Sequence, residues 1–166
     1  MIDRGALLLL RGDASYRGTW RPALDHDAPH APAALRAVIA DYREAIVEGE
    51  GVLEDLDDAV GLRDRARAAG LSRVELVVFE VPQPPPPGAL PVASEVPAEG
   101  LTFAGWDVIE PIEPWASILR DAPISLPRNA FGLLDARADA ESLARAHNAS
   151  GAEDEVLAAR IWLAEP

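Results

Sequence analysis

Two twenty-residue stretches of this chain carry the same pattern. Residues 51–70 (GVLEDLDDAVGLRDRARAAG) lie over residues 132–151 (GLLDARADAESLARAHNASG) at an offset of 81 positions. Seven of the twenty pairs are identical, among them Gly51/Gly132, Leu53/Leu134, Asp58/Asp139, Leu62/Leu143 and Gly70/Gly151. Val52/Leu133 and Glu54/Asp135 match in character. Internal duplication and convergent helix chemistry both produce such a match, and both give the same local structure. Each copy reads as a short apolar strand, an acidic helix start, an amphipathic helix, a glycine stop and a second strand. The fold has to house two strand–helix–strand units.

The rest of the chain is read around those units. Residues 5–11 form a continuous aliphatic run closed by Gly12-Asp13, the signature of a buried strand, and residues 15–21 return as a hairpin arm. Leu35, Val38, Ile39, Tyr42 and Ile46 recur at helical spacing, which predicts a helix over 33–47 ended by Gly49. In the first repeat, Leu56, Ala59, Leu62, Ala66 and Ala69 form the buried helix face, and residues 73–81 (RVELVVFEV) form a strand. Residues 101–110 read as another strand, 113–119 as a short helix with Pro114 in its first turn, and 130–134 as a strand. Asp135 is placed to cap the second repeat helix, and 155–163 closes the chain as a strand.

Between the halves, residues 82–100 hold seven prolines in nineteen positions, a composition that favours extended polyproline segments. One domain is expected over 1–166, with an N-terminal half at 1–81, the connector at 82–100 and a C-terminal half at 101–166. The expected class is α+β or α/β, a mixed sheet with helices packed mainly on one face.

Charge narrows the function. The formal net charge is −13 over 166 residues, a field that repels phosphate backbones and acidic membrane surfaces. A basic protein is the partner this charge favours. All fifteen basic residues are arginine, and there is no lysine or cysteine. Lysine Schiff-base chemistry, cysteine nucleophiles, thiolate zinc sites and disulfides therefore fall away for these residues. The five-residue apolar run at 6–10 is too short for a signal-peptide core or a membrane span, so a cytoplasmic setting is expected.

Among candidate sites, Asp25, His26, Asp27 and His30 supply nitrogen and oxygen donors of the kind that bind divalent metals. Pro22, Pro29 and Pro32 deny that stretch a regular helix, so a solvated acidic loop is the alternative. His147 occupies the repeat position of Ala66, on the apolar face near a helix C-terminus, where an imidazolium is favoured by the helix dipole. No G-x-S-x-G, H-E-x-x-H, EF-hand or G-x-G-x-x-G motif occurs. The acidic turn Glu54, Asp55, Asp57 and Asp58, the acidic run 153–155, and Glu110, Glu113 and Trp115 read as a surface for a basic partner. A tryptophan flanked by carboxylates is a suitable interface anchor. The expected function is protein–protein binding, of an immunity or neutralising type or as an accessory subunit, with no cofactor. The alternative is a small-molecule-binding or metal-dependent enzyme using Asp25, His26, Asp27 and His30 or His147.

Overall fold

The computed structural model of the protein describes residues 4–10, 21–22, 33–41, 46–47, 52–53, 55–70, 74–81, 100–110, 117–121 and 125–164. In order, the elements are β1 (Arg4–Leu10), β2 (Arg21–Pro22), α1 (Ala33–Ala40), β3 (Ile46–Val47), β4 (Val52–Leu53) and α2 (Leu56–Ala68). There follow β5 (Val74–Glu80), β6 (Leu101–Ile109), α3 (Ile118–Asp121), α4 (Arg137–Ala149) and β7 (Leu157–Ala164). The class is α+β.

The described strands form one sheet in the order β3-β4-β1-β5-β7-β6, with β2 on β1. Every pairing among them is antiparallel, where a mixed sheet was expected. The reason lies in the topology. β4 and β5 run the same way, as a strand–helix–strand unit requires, but β1 lies between them and is antiparallel to both. This is a split β-α-β arrangement, in which the crossover strands never become neighbours.

In the second half a single bridge precedes the helix in place of a strand. Leu134 forms an antiparallel bridge to Trp106 of β6, with both backbone hydrogen bonds made at 2.8 and 2.9 Å. α4 then leads to β7, which pairs with the other side of β6. β5 and β7 join the halves through Phe79↔Ile161. One row across the sheet is Gly5, Phe79, Ile161, Gly105, small–large–large–small from either end.

Packing follows from these registers. Val77, Phe79 and Ile161 join Val108, Ile109, Leu119, Leu133, Leu134, Ala140 and Ala144 in the main core. Burying a side chain the size of Phe79 contributes roughly 1.5–3 kcal/mol. α2 packs on β1 and β5, and α4 on β6 and β7. Ala59, Leu62 and Ala66 of α2 are fully buried as its periodicity predicts; Leu56 is half-buried and Ala69, at the C-cap, is exposed. The ion pair between Asp41 and Arg65 links the end of α1 to α2.

Several boundaries differ from the sequence reading. The helix expected over 33–47 ends at Ala40, and Ile46 and Val47 pair with Leu53 and Val52 instead. Both are β-branched, and pairing on a sheet edge outweighs a helical periodicity they also fit. Of the helix expected over 113–119, residues 113–116 lie outside the described residues; the described part is the turn Ile118–Asp121, entered through Ser117, whose Oγ accepts from the Leu119 N–H at 3.2 Å. The strand expected over 130–134 reduces to the Leu134 bridge, because Asn129 folds the segment into a turn. Its Oδ1 accepts from the N–H groups of Phe131 and Leu133, and its Nδ2 donates to Ala104 O and to Asp135 Oδ1. That last bond removes Asp135 from the capping role expected of it. The N-cap of α4 is Ala136, which makes no side-chain capping bond.

The Ala104 contact serves the sheet. Ala104 is an extra residue in β6, a bulge between Phe103 and Gly105. Its carbonyl is satisfied by Asn129 rather than by the ladder. Gly105 has φ +143, and a Cβ there would stand 2.8 Å from Leu133 Cβ and 2.9 Å from Asn129 Nδ2. Only glycine admits the turn so close to the strand.

Candidate functional site

Strand directions decide where the acidic residues go. β5 ends at Glu80, directly opposite Arg160 near the start of β7, and Ile109 at the end of β6 lies opposite Leu157. The residues just before β7 and just after β6 therefore share one end of the sheet: Glu153, Asp154, Glu155 and Glu110. β4 points to that end as well, so α2 begins there, with Asp55, Asp57 and Asp58. The set spans five neighbouring strands, β4 to β6, about 19 Å. Asp55, Asp57, Asp58, Glu153, Asp154 and Glu155 are exposed, while Glu110 is half-buried and engaged by neighbours.

Asp55 has a structural duty. It is the N-cap of α2, with Oδ1 accepting from the Asp57 N–H at 2.8 Å and the Asp58 N–H at 3.1 Å. The Asp57 and Asp58 carboxylates are not used in this way and stand in the first turn, where negative charge suits the helix dipole.

Glu54, Glu113 and Trp115, the other members of the expected surface, lie outside the described residues. So do Asp25, His26, Asp27 and His30 of the expected metal loop. His147 is half-buried in the last turn of α4, and its carbonyl accepts from Ser150 N and Oγ. Among the described residues, no three His, Asp or Glu side chains stand together as metal ligands. No helix among them is long and apolar enough to cross a membrane.

A second constellation was not legible in the sequence. Cross-strand pairs share a face, so Phe103↔Trp162 and Trp106↔Arg160 stand on one side of the sheet. Residues three apart on a regular strand face opposite ways. The Ala104 bulge restores Phe103 and Trp106 to the same side. The Phe103 ring meets Trp162 edge-on at 5.3 Å and Trp106 at 6.3 Å between centroids. The guanidinium groups of Arg137 and Arg160 lie 5.7 and 5.6 Å from the Trp106 ring centroid, within cation–π range. Arg160 also reaches Glu80 at 3.4 Å, and Arg137 pairs with Glu141 at 2.6 Å. Phe103 is 43% exposed, which leaves one aromatic of the group open to solvent.

Asp107 on the same strand is buried at 1% exposure. Its Oδ1 accepts from Ser117 Oγ at 2.5 Å and from the Val108 N–H at 2.8 Å. Those bonds tie α3 to β6 and make Asp107 a strut. Comparison of the chain with protein-family models, with curated proteins and with solved structures finds no match.

Proposed function

We propose that this protein acts by binding a basic protein partner through the acidic end of its sheet, as an immunity-type or neutralising protein or an accessory subunit. The supporting observation is the convergence of Asp57, Asp58, Glu110 and the 153–155 run at that end, reached from three separate parts of the chain. The opposite end is a useful contrast. α4 starts there, and the repeat partners of Asp55 and Asp57 are Ala136 and Ala138. Asp135 and Asp139 match Glu54 and Asp58, so part of the acidic start belongs to the repeated unit; Asp55, Asp57 and the 153–155 run are what the first end adds. Six exposed carboxylates on a chain of net charge −13 speed encounter with a cationic surface and repel anionic competitors. A cytoplasmic setting belongs to the same reading.

The test is capture from native lysate, washed at rising salt, with wild-type protein beside two neutralised variants. One carries Asp57→Asn and Asp58→Asn; the other carries Glu153→Gln, Asp154→Asn and Glu155→Gln. Asp55 stays intact because it caps α2. A single basic protein, retained at low salt, released at high salt and lost from both variants, is the expected result. A partner held equally by the neutralised variants would rule out the acidic end as its site.

The strand registers also support the finer architectural reading of two related halves. A local twofold axis normal to the sheet at the pair Phe79↔Ile161 carries β5 onto β7. The same operation carries Gly5 to Gly105 and Leu53 to Leu134, two of the identities in the chain. Such an axis preserves faces, so right-handed crossovers in both halves, the rule for such units, agree with helices packed on one side of the sheet.

A further inference from the structure

A groove of about 270 Å³ runs beside α4, against β6, β7 and the end of β5. Its helix side is the stripe Arg137, Glu141, Ala144, Arg145 and Asn148, residues that share one flank at helical spacing. Val81, Val156, Leu157 and Ala158 make the opposite wall apolar, with the Trp106 indole beside them. The polar inventory is short. The Asn148 side chain donates to Val156 O and accepts from Val156 N, both at 2.9 Å. Arg137 spends its Nε on Glu141. Arg145 is exposed at the rim. Two guanidinium groups against one carboxylate leave the lining with a single positive excess, in a protein whose field is otherwise strongly negative.

The halves differ at this place. The repeat partner of Ala144 is Arg63, a long side chain that is 8% exposed, and that of Arg145 is Asp64, which pairs with Arg63 at 3.0 Å. In sheet register, Trp106 stands where the first half has Ala6. The second half thus has a methyl in place of a buried arginine and a rim cation in place of an anion. Each exchange favours a recess that takes an anion with an apolar body.

We propose that this groove binds a small organic acid, a monocarboxylate whose apolar part rests on Val81, Ala144, Leu157 and Trp106 and whose carboxylate meets Arg145 and the free edge of Arg137. A cavity of 150 Å³ holds a six-carbon ring, so this volume suits an acid of about ten non-hydrogen atoms. The groove lies beside the 153–155 run, at Val156 and Leu157, but does not rest on a protein partner, and failure of either reading leaves the other standing.

Calorimetric titration with phenylacetate, and with neutral, isosteric phenylacetamide, tests it. Phenylacetate should bind saturably with one site, and phenylacetamide about tenfold more weakly, as expected when a charge-assisted hydrogen bond is lost. Arg145→Gln should bring phenylacetate down to the amide's level without altering amide binding. Ala144→Arg, which copies the first half, should abolish binding of both. The Trp106 indole N–H resonance, assigned with a Trp106→Phe variant, should shift on titration. No saturable binding of either probe, equal affinity for the two, or undiminished binding in Ala144→Arg would overturn the proposal. Should Ala144→Arg not fold, the acid–amide difference in Arg145→Gln decides alone.

Discussion

α2 and α4 are equally long, occupy matching places in the topology and still solve different problems. α2 buries Ala59, Leu62, Arg63 and Ala66 and is capped by Asp55. α4 buries only Ala140 and Ala144, leaves Leu143 and His147 half-buried, and has no side-chain cap. The helix with the better cap and the fuller buried face also carries the exposed acids. The helix with the thinner face borders a groove. The matching position carries the nearly buried Arg63 in α2 and Ala144, which lines the groove, in α4.

That comparison can be broken at its centre first. Phe79→Ala empties the middle of the row shared by both halves and should cost about 3–5 kcal/mol in denaturant unfolding. A single transition should persist, because the β5–β7 ladder joins the halves; two separated transitions would show that each half folds alone. Gly105→Ala comes next. Its positive φ costs about 1–3 kcal/mol for a side chain, and overpacking against Leu133 adds about 1–3 more. Thermal unfolding should fall accordingly, and a neutral result would mean the 129–134 turn does not press on β6.

The helices themselves sharpen it further. Leu62→Ala should cost about 2–5 kcal/mol as a large-to-small change at a fully buried site. Leu143→Ala, its repeat partner at a half-buried site, should cost clearly less, and equal costs would erase the packing difference. At the helix starts, Asp55→Ala should lose about 1 kcal/mol, while Ala136→Asp should gain a similar amount by giving α4 the cap it lacks. Smallest is Arg137→Gln, which removes an exposed i,i+4 pair with Glu141 worth about 0.3–0.5 kcal/mol.

Much of the fold was legible because it rests on local periodicity. The aliphatic runs 5–11 and 73–81 and the paired helix patterns map onto β1, β5, α2 and α4 within a few residues. Misreadings fell where a distant partner overrides local preference. Ile46 and Val47 fit a helix until Val52 and Leu53 are beside them. Asp135 looks like a cap until Asn129 takes its carboxylate. Of the acidic surface, the carboxylates were visible in the sequence, but their gathering at one end follows from strand direction.

What the sequence alone determined is the charge, the absence of lysine and cysteine chemistry, and the helix-then-strand pairs α2–β5 and α4–β7, since these depend on composition and on spacing within a few turns. Tertiary structure decided that the described strands all pair antiparallel, that Phe103, Trp106 and Trp162 meet across a bulge, and that a groove opens beside Ala144. Each of these depends on residues tens of positions apart, and register between distant strands is set by the summed packing of the sheet, which no short stretch encodes.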